Sequence, residues 1–235
     1  MVNVAKMANM KMITPGFEEA LKDYYFLLNR DYPEKETLKL VADRYRLTGV
    51  QRTVLFRGMT SAERALNRKA KQIPLESLER KPLYIDGYNV LFTMMNYLLG
   101  KVVFIGNDGL LRDSGETYGN IEKEEIFLKS VEMLVHFLGT HAIEPVTIFL
   151  DQPVTGSETH KEKLEREFHA RGVQPRILLV PSVDNVLGEL TDGVLATSDS
   201  EIIELSFCPV LDLAQEILAH SFGISFLDLG GLIKI

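Results

Sequence analysis

Three short apolar runs in this chain each end by delivering an aspartate, and that placement restricts the fold more than any other feature. Leu83-Tyr84-Ile85 runs into Asp86, Val146 to Leu150 into Asp151, and Val194 to Ser198 into Asp199. Short continuous apolar runs read as strands covered on both faces, as a parallel sheet requires. Ligands of such sheets settle in the crevice beyond the carboxyl ends of the strands, so an acid one step past a strand stands in working position. Stretches of helical spacing separate the runs, and Arg176 to Val180 reads as one more strand, so strand and helix alternate from residue 82 onward. The expected architecture is α/β, a parallel sheet with helices on both faces.

Residues 1–12 have little periodicity and read as a loose arm, and from Thr14 to Lys71 the pattern is helical. Thr14 is a candidate cap with Pro15 at the first helical position, and Tyr32-Pro33 closes that helix. A second helix runs from Glu34 to Tyr45, with Gly49 expected to end it. A third covers Val50 to Phe56, and a fourth follows Met59-Thr60-Ser61 through Lys71. The expected organisation is a helical domain over 1–72, a linker over 73–81 and the α/β domain over 82–235. Within the latter, Asn107-Asp108-Gly109 between two apolar runs predicts a β-hairpin, read as an insertion near the strand ends. A helix is expected from about Ile121 to Leu138, and Ile224 to Leu227 reads as a last strand.

The net charge of -7 hides an asymmetry: residues 1–81 hold 16 Lys and Arg against 10 Asp and Glu, and residues 82–235 hold 10 against 23. A basic front can bring an acidic module to a polyanion, because long-range attraction depends on patches rather than totals. Leu38 to Arg57 has the outline of a helix-turn-helix, with Arg44, Arg46, Arg52 and Arg57 as candidates to face phosphates, and Arg64, Arg68 and Lys69 extend the basic run. The competing reading is a solvated basic surface.

Acids converging at strand ends repel one another unless a cation compensates them, and hard oxygen ligands select Mg²⁺ or Mn²⁺. Asp86, Asp151 and Asp199, with Asp184 at a helix start, are therefore candidate metal ligands and catalytic residues for phosphodiester hydrolysis. Asn89 is expected to tie the loop after the first strand, and Ser198 to hold Asp199 or a metal-bound water. Each acid also has a plainer reading, as a turn residue or a helix N-cap. Other chemistries fit less well. An aspartyl phosphatase wants a second Asp where Tyr88 stands, Gly87 alone is no dinucleotide loop, and no histidine has a strand-end nucleophile beside it. The lone Cys208 excludes an intramolecular disulfide and reads as buried filler. No apolar run reaches the roughly 20 residues of a membrane span, and a cytoplasmic protein is expected.

The runs YIDGYNVL (84–91), VTIFLDQ (146–152), PSVDNVLGEL (181–190) and ATSDSEII (196–203) resemble the successive motifs of the PIN/NYN-like nuclease superfamily. The resemblance covers roughly residues 82–228. It implies a Rossmann-like, PIN-like sheet, Mg²⁺ or Mn²⁺ as cofactor, RNA as partner, and metal-binding roles for Asp86, Asp151, Asp184 and Asp199. Some members use a further acid on a helix, for which Glu122, Glu124 and Glu125 are candidates here; others have lost catalysis and leave a non-catalytic RNA-binding or assembly module. The whole chain, with LLNRDYP and DRYRL in its helical front, also resembles a family of uncharacterised, chiefly archaeal two-part proteins. Homodimerisation is compatible with either likeness.

Overall fold

Thr14 opens the first helix: its Oγ1 accepts a hydrogen bond from Phe17 N (3.2 Å), and Pro15 brings the preset φ of the first helical position. From there the structure, a computed structural model, describes residues 12–78, 80–115 and 124–233. In chain order the elements are α1 (Pro15–Leu28), α2 (Glu34–Arg44), α3 (Gly49–Gly58), α4 (Ala62–Lys71), β1 (Leu83–Asp86), α5 (Gly87–Leu98), β2 (Val103–Ile105), β3 (Leu111–Asp113) and α6 (Glu124–Thr140). There follow β4 (Val146–Asp151), α7 (Ser157–Ala170), β5 (Arg176–Val180), α8 (Val183–Gly188), β6 (Val194–Ala196), α9 (Ser200–Leu205), α10 (Leu213–Phe222), β7 (Leu227–Asp228) and α11 (Leu229–Ile233). The fold is α/β with a parallel sheet, and its N-terminal part is helical.

The described residues form two compact units. One draws on Met1–Ala70, Asn96–Gly115 and Ile224–Ile235, the other on Lys71–Met95 and Glu116–Gly223.

In the first unit, Phe17, Leu21 and Tyr24 of α1 share a core with Val41 of α2, Val54 and Leu55 of α3, Phe104 of β2 and Leu229 of α11. Gly58 ends α3 where a Cβ would overlap Leu229 and Phe104, so only glycine allows that approach. Gly49 does not end α2 as expected. Thr48 caps α3 in a capping box with Gln51, Gly49 is the first residue of α3, and the left-handed turn after α2 falls on Arg46 (φ 51°). The Asn107-Asp108-Gly109 turn does form a hairpin, with Ile105 opposite Leu111 and Gly109 at φ 84°. It does not insert into the parallel sheet: β2 pairs with β3 on one side and with β7 on the other, giving a separate sheet in the order β3-β2-β7. The last predicted strand thus finds its partner in the hairpin.

In the second unit four strands run parallel in the order β5-β4-β1-β6, with Leu83 opposite Val146 on one side and Val194 on the other. The chain steps outward from β1 through β4 to β5, then returns to the far side of β1 for β6. The reversal makes the β1/β6 gap a topological switch point, where α/β sheets hold ligands. Beyond β6 the sheet gains two short rungs: Val210 bridges Leu195 on one side and Gln72 on the other. The stretch read as a linker therefore begins as part of a ladder, with Val210 N donating to Lys71 O (2.8 Å) and Ile73 N to Val210 O (2.9 Å), and it continues into a short 3₁₀ turn at Leu75–Ser77.

Candidate metal centre

Asp86 is the last residue of β1 and Gly87 the first of α5, so the chain turns from strand to helix without a loop. Glycine makes this possible: a Cβ at 87 would lie 2.6 Å from Leu150 Cδ2 and 2.9 Å from Phe149 O. The turn sets the Asp86 carboxylate at the switch point, 6% exposed. Its Oδ1 accepts from Asn89 N (3.2 Å) and its Oδ2 from Thr197 Oγ1 (3.0 Å). Burial pushes its pKa up to about 7; these two hydrogen bonds oppose the rise, and the negative charges of Asp199 and Asp151 add to it.

Asp151 ends β4, and its Oδ1 accepts from Val183 N (2.9 Å), the first residue of α8. Asp199 is the N-cap of α9, its Oδ1 accepting from Glu201 N (2.8 Å) and Ile202 N (3.3 Å). Each acid thus spends one oxygen on the start of a helix. Among the described residues, neither Asp151 Oδ2 nor Asp199 Oδ2 takes part in a hydrogen bond.

Asp184, expected as a metal ligand, lies in the first turn of α8 on the exposed surface, and its plainer reading as the N-cap does not hold, since Ser182 caps the helix by accepting from Asn185 N. The pKa of Asp184 is raised by partial burial, then by the charges of Asp199, Asp151 and Glu201. It belongs to the same electrostatic neighbourhood from its rim.

Asn89 ties the β1 turn to the β6 turn: its Oδ1 accepts from Ser198 N (2.9 Å) and Ser198 Oγ (3.1 Å). Ser198 therefore serves Asn89 rather than Asp199. The residue between the acids is Thr197, which the sequence reading passed over. Its Oγ1 donates to Asp86 and accepts from Asp199 N (3.1 Å). A hydroxyl two positions before a strand-end acid was the available signal. A second pair also went unread: Tyr88 Oη and His160 Nδ1 lie 3.0 Å apart and buried, and the Asp151 charge helps burial raise the pKa of Tyr88.

The donor set is all oxygen and fits a hard cation such as Mg²⁺ or Mn²⁺ in its chemistry. Asp86 is buried with two neighbours of its own sign, and its carboxylate form needs compensation. Among the described residues no group of three or more His, Cys, Asp or Glu side chains is arranged to grip one ion. Mg²⁺ keeps several waters and uses one or two carboxylates, so the fit is to a largely hydrated ion rather than a caged one.

The helix-borne candidates contribute little that is visible. Glu124 pairs with Lys163 (2.6 Å), Glu125 is exposed, and Glu122 lies outside the described residues. Of the cations expected to face phosphates, two turn inward within the first unit. Arg68 is buried and bonds Asp108 (2.9 Å), and Arg57 donates to Asp113 O (2.8 Å). The buried Arg68 and the partly exposed Arg57 are thus committed to acidic partners within the unit, which spacing on a helix does not reveal. Arg52 pairs with Asp43 and Arg64 with Glu34 nearer the surface, Arg44 leans over Tyr45, and Arg46 and Lys69 are exposed. Cys208 is buried as expected, its Sγ donating to Leu190 O and Asp192 O. No helix among the described residues is long and apolar enough to cross a membrane.

Two family models match the chain, both described as of unknown function: DUF434 over residues 16–71 and DUF5616 over residues 75–216. The boundary between them falls where Lys71 to Ile73 enter the ladder of the second unit. An uncharacterised protein of Methanocaldococcus jannaschii is 29% identical over 206 residues, which cover 87% of this chain and 98% of the relative. No solved structure matches. With more than half of its length matched, the chain belongs to the family described as Domain of unknown function (DUF5616).

Proposed function

We propose that this protein is a divalent-metal-dependent phosphodiesterase, acting on RNA, whose second unit is a Rossmann-like sheet of the PIN/NYN type. The observation that carries this reading is the convergence of Asp86, Asp151 and Asp199 from three neighbouring strands, with Asp86 buried between like charges and its pKa raised to about 7. Buried acids with strongly shifted pKa values in a crevice at a switch point are the usual mark of a working site.

The chain's own groups divide the work. Asp86 is held by Asn89 N and Thr197 Oγ1, so its orientation is set before any ligand arrives. Asp151 and Asp199 each anchor one oxygen on a helix start and leave Oδ2 for a ligand or a water. Asp86, Asp151 and Asp199, with Asp184 at the rim, would hold a largely hydrated Mg²⁺ or Mn²⁺ through one or two direct carboxylates and its waters, and the ion would there polarise a phosphoryl oxygen and acidify a water. RNA, rather than DNA, follows from the motif likeness, and Arg44, Arg46 and Lys69 are the exposed cations of the first unit that best suit its phosphates.

A second reading, a non-catalytic RNA-binding or assembly module on the same fold, is favoured by one observation. Asp86, Asp151 and Asp199 each already have a structural use, and no three acids among the described residues grip one ion. One experiment separates the two. Purified full-length protein is incubated with a panel of single-stranded and structured RNA and DNA, in Mg²⁺ or Mn²⁺ and in chelator. The enzyme reading requires metal-dependent cleavage that Asp86→Asn and Asp199→Asn abolish; wild type and both variants behaving alike across the panel rejects it.

A further inference from the structure

Asp199 reaches the site as the N-cap of α9, a helix of 6 residues. A helix that short has almost no stability of its own, and its direction is set by whatever holds its two ends. The inward face is apolar, with Ile202 and Ile203 buried, but at the exit Leu205 and Phe207 are 65% and 89% exposed. Buried Ile202 and Ile203 seat the helix, and polar contacts tie down its C-terminal carbonyls.

The principal contact is Lys71. Its ammonium donates to Ile203 O (2.5 Å) and to Ser206 O (2.6 Å), with a third, weaker tie from Ser206 Oγ to Leu190 O (3.4 Å). Carbonyls at a helix C-terminus lack partners within the helix, and a cation there satisfies them while opposing the negative end of the dipole. The backbone of Lys71 is itself fixed, because its carbonyl accepts from Val210 N in the rung beside β6. Lys71 is thus anchored to the same sheet edge that delivers Thr197 and Asp199. It grips the far end of a rod only about 9 Å long, and the near end of that rod orients the Asp199 carboxylate.

We infer that Lys71 is a positioning residue for the metal centre, acting on Asp199 through α9. The inference rests on the function proposed above. It gives the residue at the seam between the two family matches a role in the chemistry of the second unit. Lys71 touches neither metal nor substrate, and its effect is to keep Asp199 Oδ2 available in one orientation while Oδ1 stays on Glu201 N and Ile202 N.

The test uses the full chain with Lys71→Met, Lys71→Gln and Lys71→Arg. Three readouts are followed: Mn²⁺ binding by calorimetry, metal-free amide exchange at Glu201 and Ile202, and thermal melting to confirm folding. Lys71→Met is expected to speed exchange at both amides and to weaken Mn²⁺ binding on the order of tenfold, as outer-shell changes do. Lys71→Gln should fall between, and Lys71→Arg, which keeps a charged donor, should restore both. If wild type binds Mn²⁺ and Lys71→Met or Lys71→Gln leaves affinity and exchange unchanged, or merely lowers the melting temperature, the positioning role is wrong while the metal reading stands. If wild type binds no Mn²⁺ and cleaves nothing although exchange responds to Lys71→Met, the metal reading is what fails, and Lys71 keeps only a capping role.

Discussion

Asp108 of the first unit and Asp86 of the second are both almost completely buried, and the two are treated in opposite ways. Asp108 in the first unit is 1% exposed; Arg112 bonds it through both oxygens (2.7 and 2.8 Å) and Arg68 adds a third contact (2.9 Å). Burial alone would raise its pKa, but the two guanidinium groups outweigh burial and hold it below the ordinary carboxylate value. Asp86 in the second unit is buried to nearly the same degree, receives only neutral donors, and faces Asp151 and Asp199. Burial therefore wins there. The desolvation cost is similar in both places, and the partner decides whether a buried acid is a strut or a group still wanting a cation.

Breaking the strut has the largest expected effect. Asp108→Asn removes the carboxylate that the buried Arg68 and Arg112 share and is expected to destabilise the protein by about 3–5 kcal/mol, read by urea unfolding. Asp86→Asn should do the reverse in metal-free protein. Native Asp86 keeps its proton up to about pH 7, whereas its ordinary value is 3.8. Between those pH values the folded state binds more protons than the unfolded, so wild-type stability falls as pH rises through that window. The Asn variant lacks that slope. It should be more stable than wild type by about 2–4 kcal/mol at pH 8 and lose the advantage toward pH 4. Melting curves across pH check this, and an Asn variant less stable at pH 8 would mean that Asp86 is already compensated. For Asp108 the sign is opposite: its contribution is present above the unfolded value near 3.8 and is lost as pH falls through the depressed folded value.

Thr197→Val sharpens the comparison by removing one of the neutral donors to Asp86. The hydrogen bond is to a charged acceptor and is worth about 1.5–3 kcal/mol, so the Asp86 carboxyl should titrate higher still in carbon-detected NMR. An unmoved titration would show that the threonine serves only Asp199 N. The smallest effect belongs to a neutral cap: Thr48→Ala in the first unit should cost about 1 kcal/mol, with no dependence on pH between 5 and 9, in contrast to either aspartate.

Several elements are legible in the sequence although this contrast is not. The cap at Thr14, the turn at Asn107 to Gly109 and the run Arg176 to Val180 are local signals, read from a few residues each, and they became α1, the β2–β3 turn and β5. What local pattern does not encode is partnership. Ile224 to Leu227 reads as a strand with nothing to say that its neighbour is Phe104 rather than a strand of the parallel sheet. Likewise Asp108 reads as a turn residue, since the two arginines that make it a strut come from α4 and β3. At the site the reverse held, because position relative to a strand end is itself a local property. Asp86, Asp151 and Asp199 were therefore recognisable one by one. Thr197 was not, because its role appears only once β1 and β6 lie side by side.

The composition of the first unit also bears on how the chain acquires its structure. Its core mixes residues of α1 and α3 with Phe104 and Leu229, more than two hundred positions after Phe17. During vectorial synthesis, domains tend to settle in the order in which they emerge, but here the core around Phe17 must wait for Leu229. All of the second unit's described segments have been synthesised by residue 223, so it can close first. The helices of the first unit are then the last to find their full complement of contacts, and until β7 and α11 arrive the part of their apolar surface that meets Phe104 and Leu229 is only partly covered.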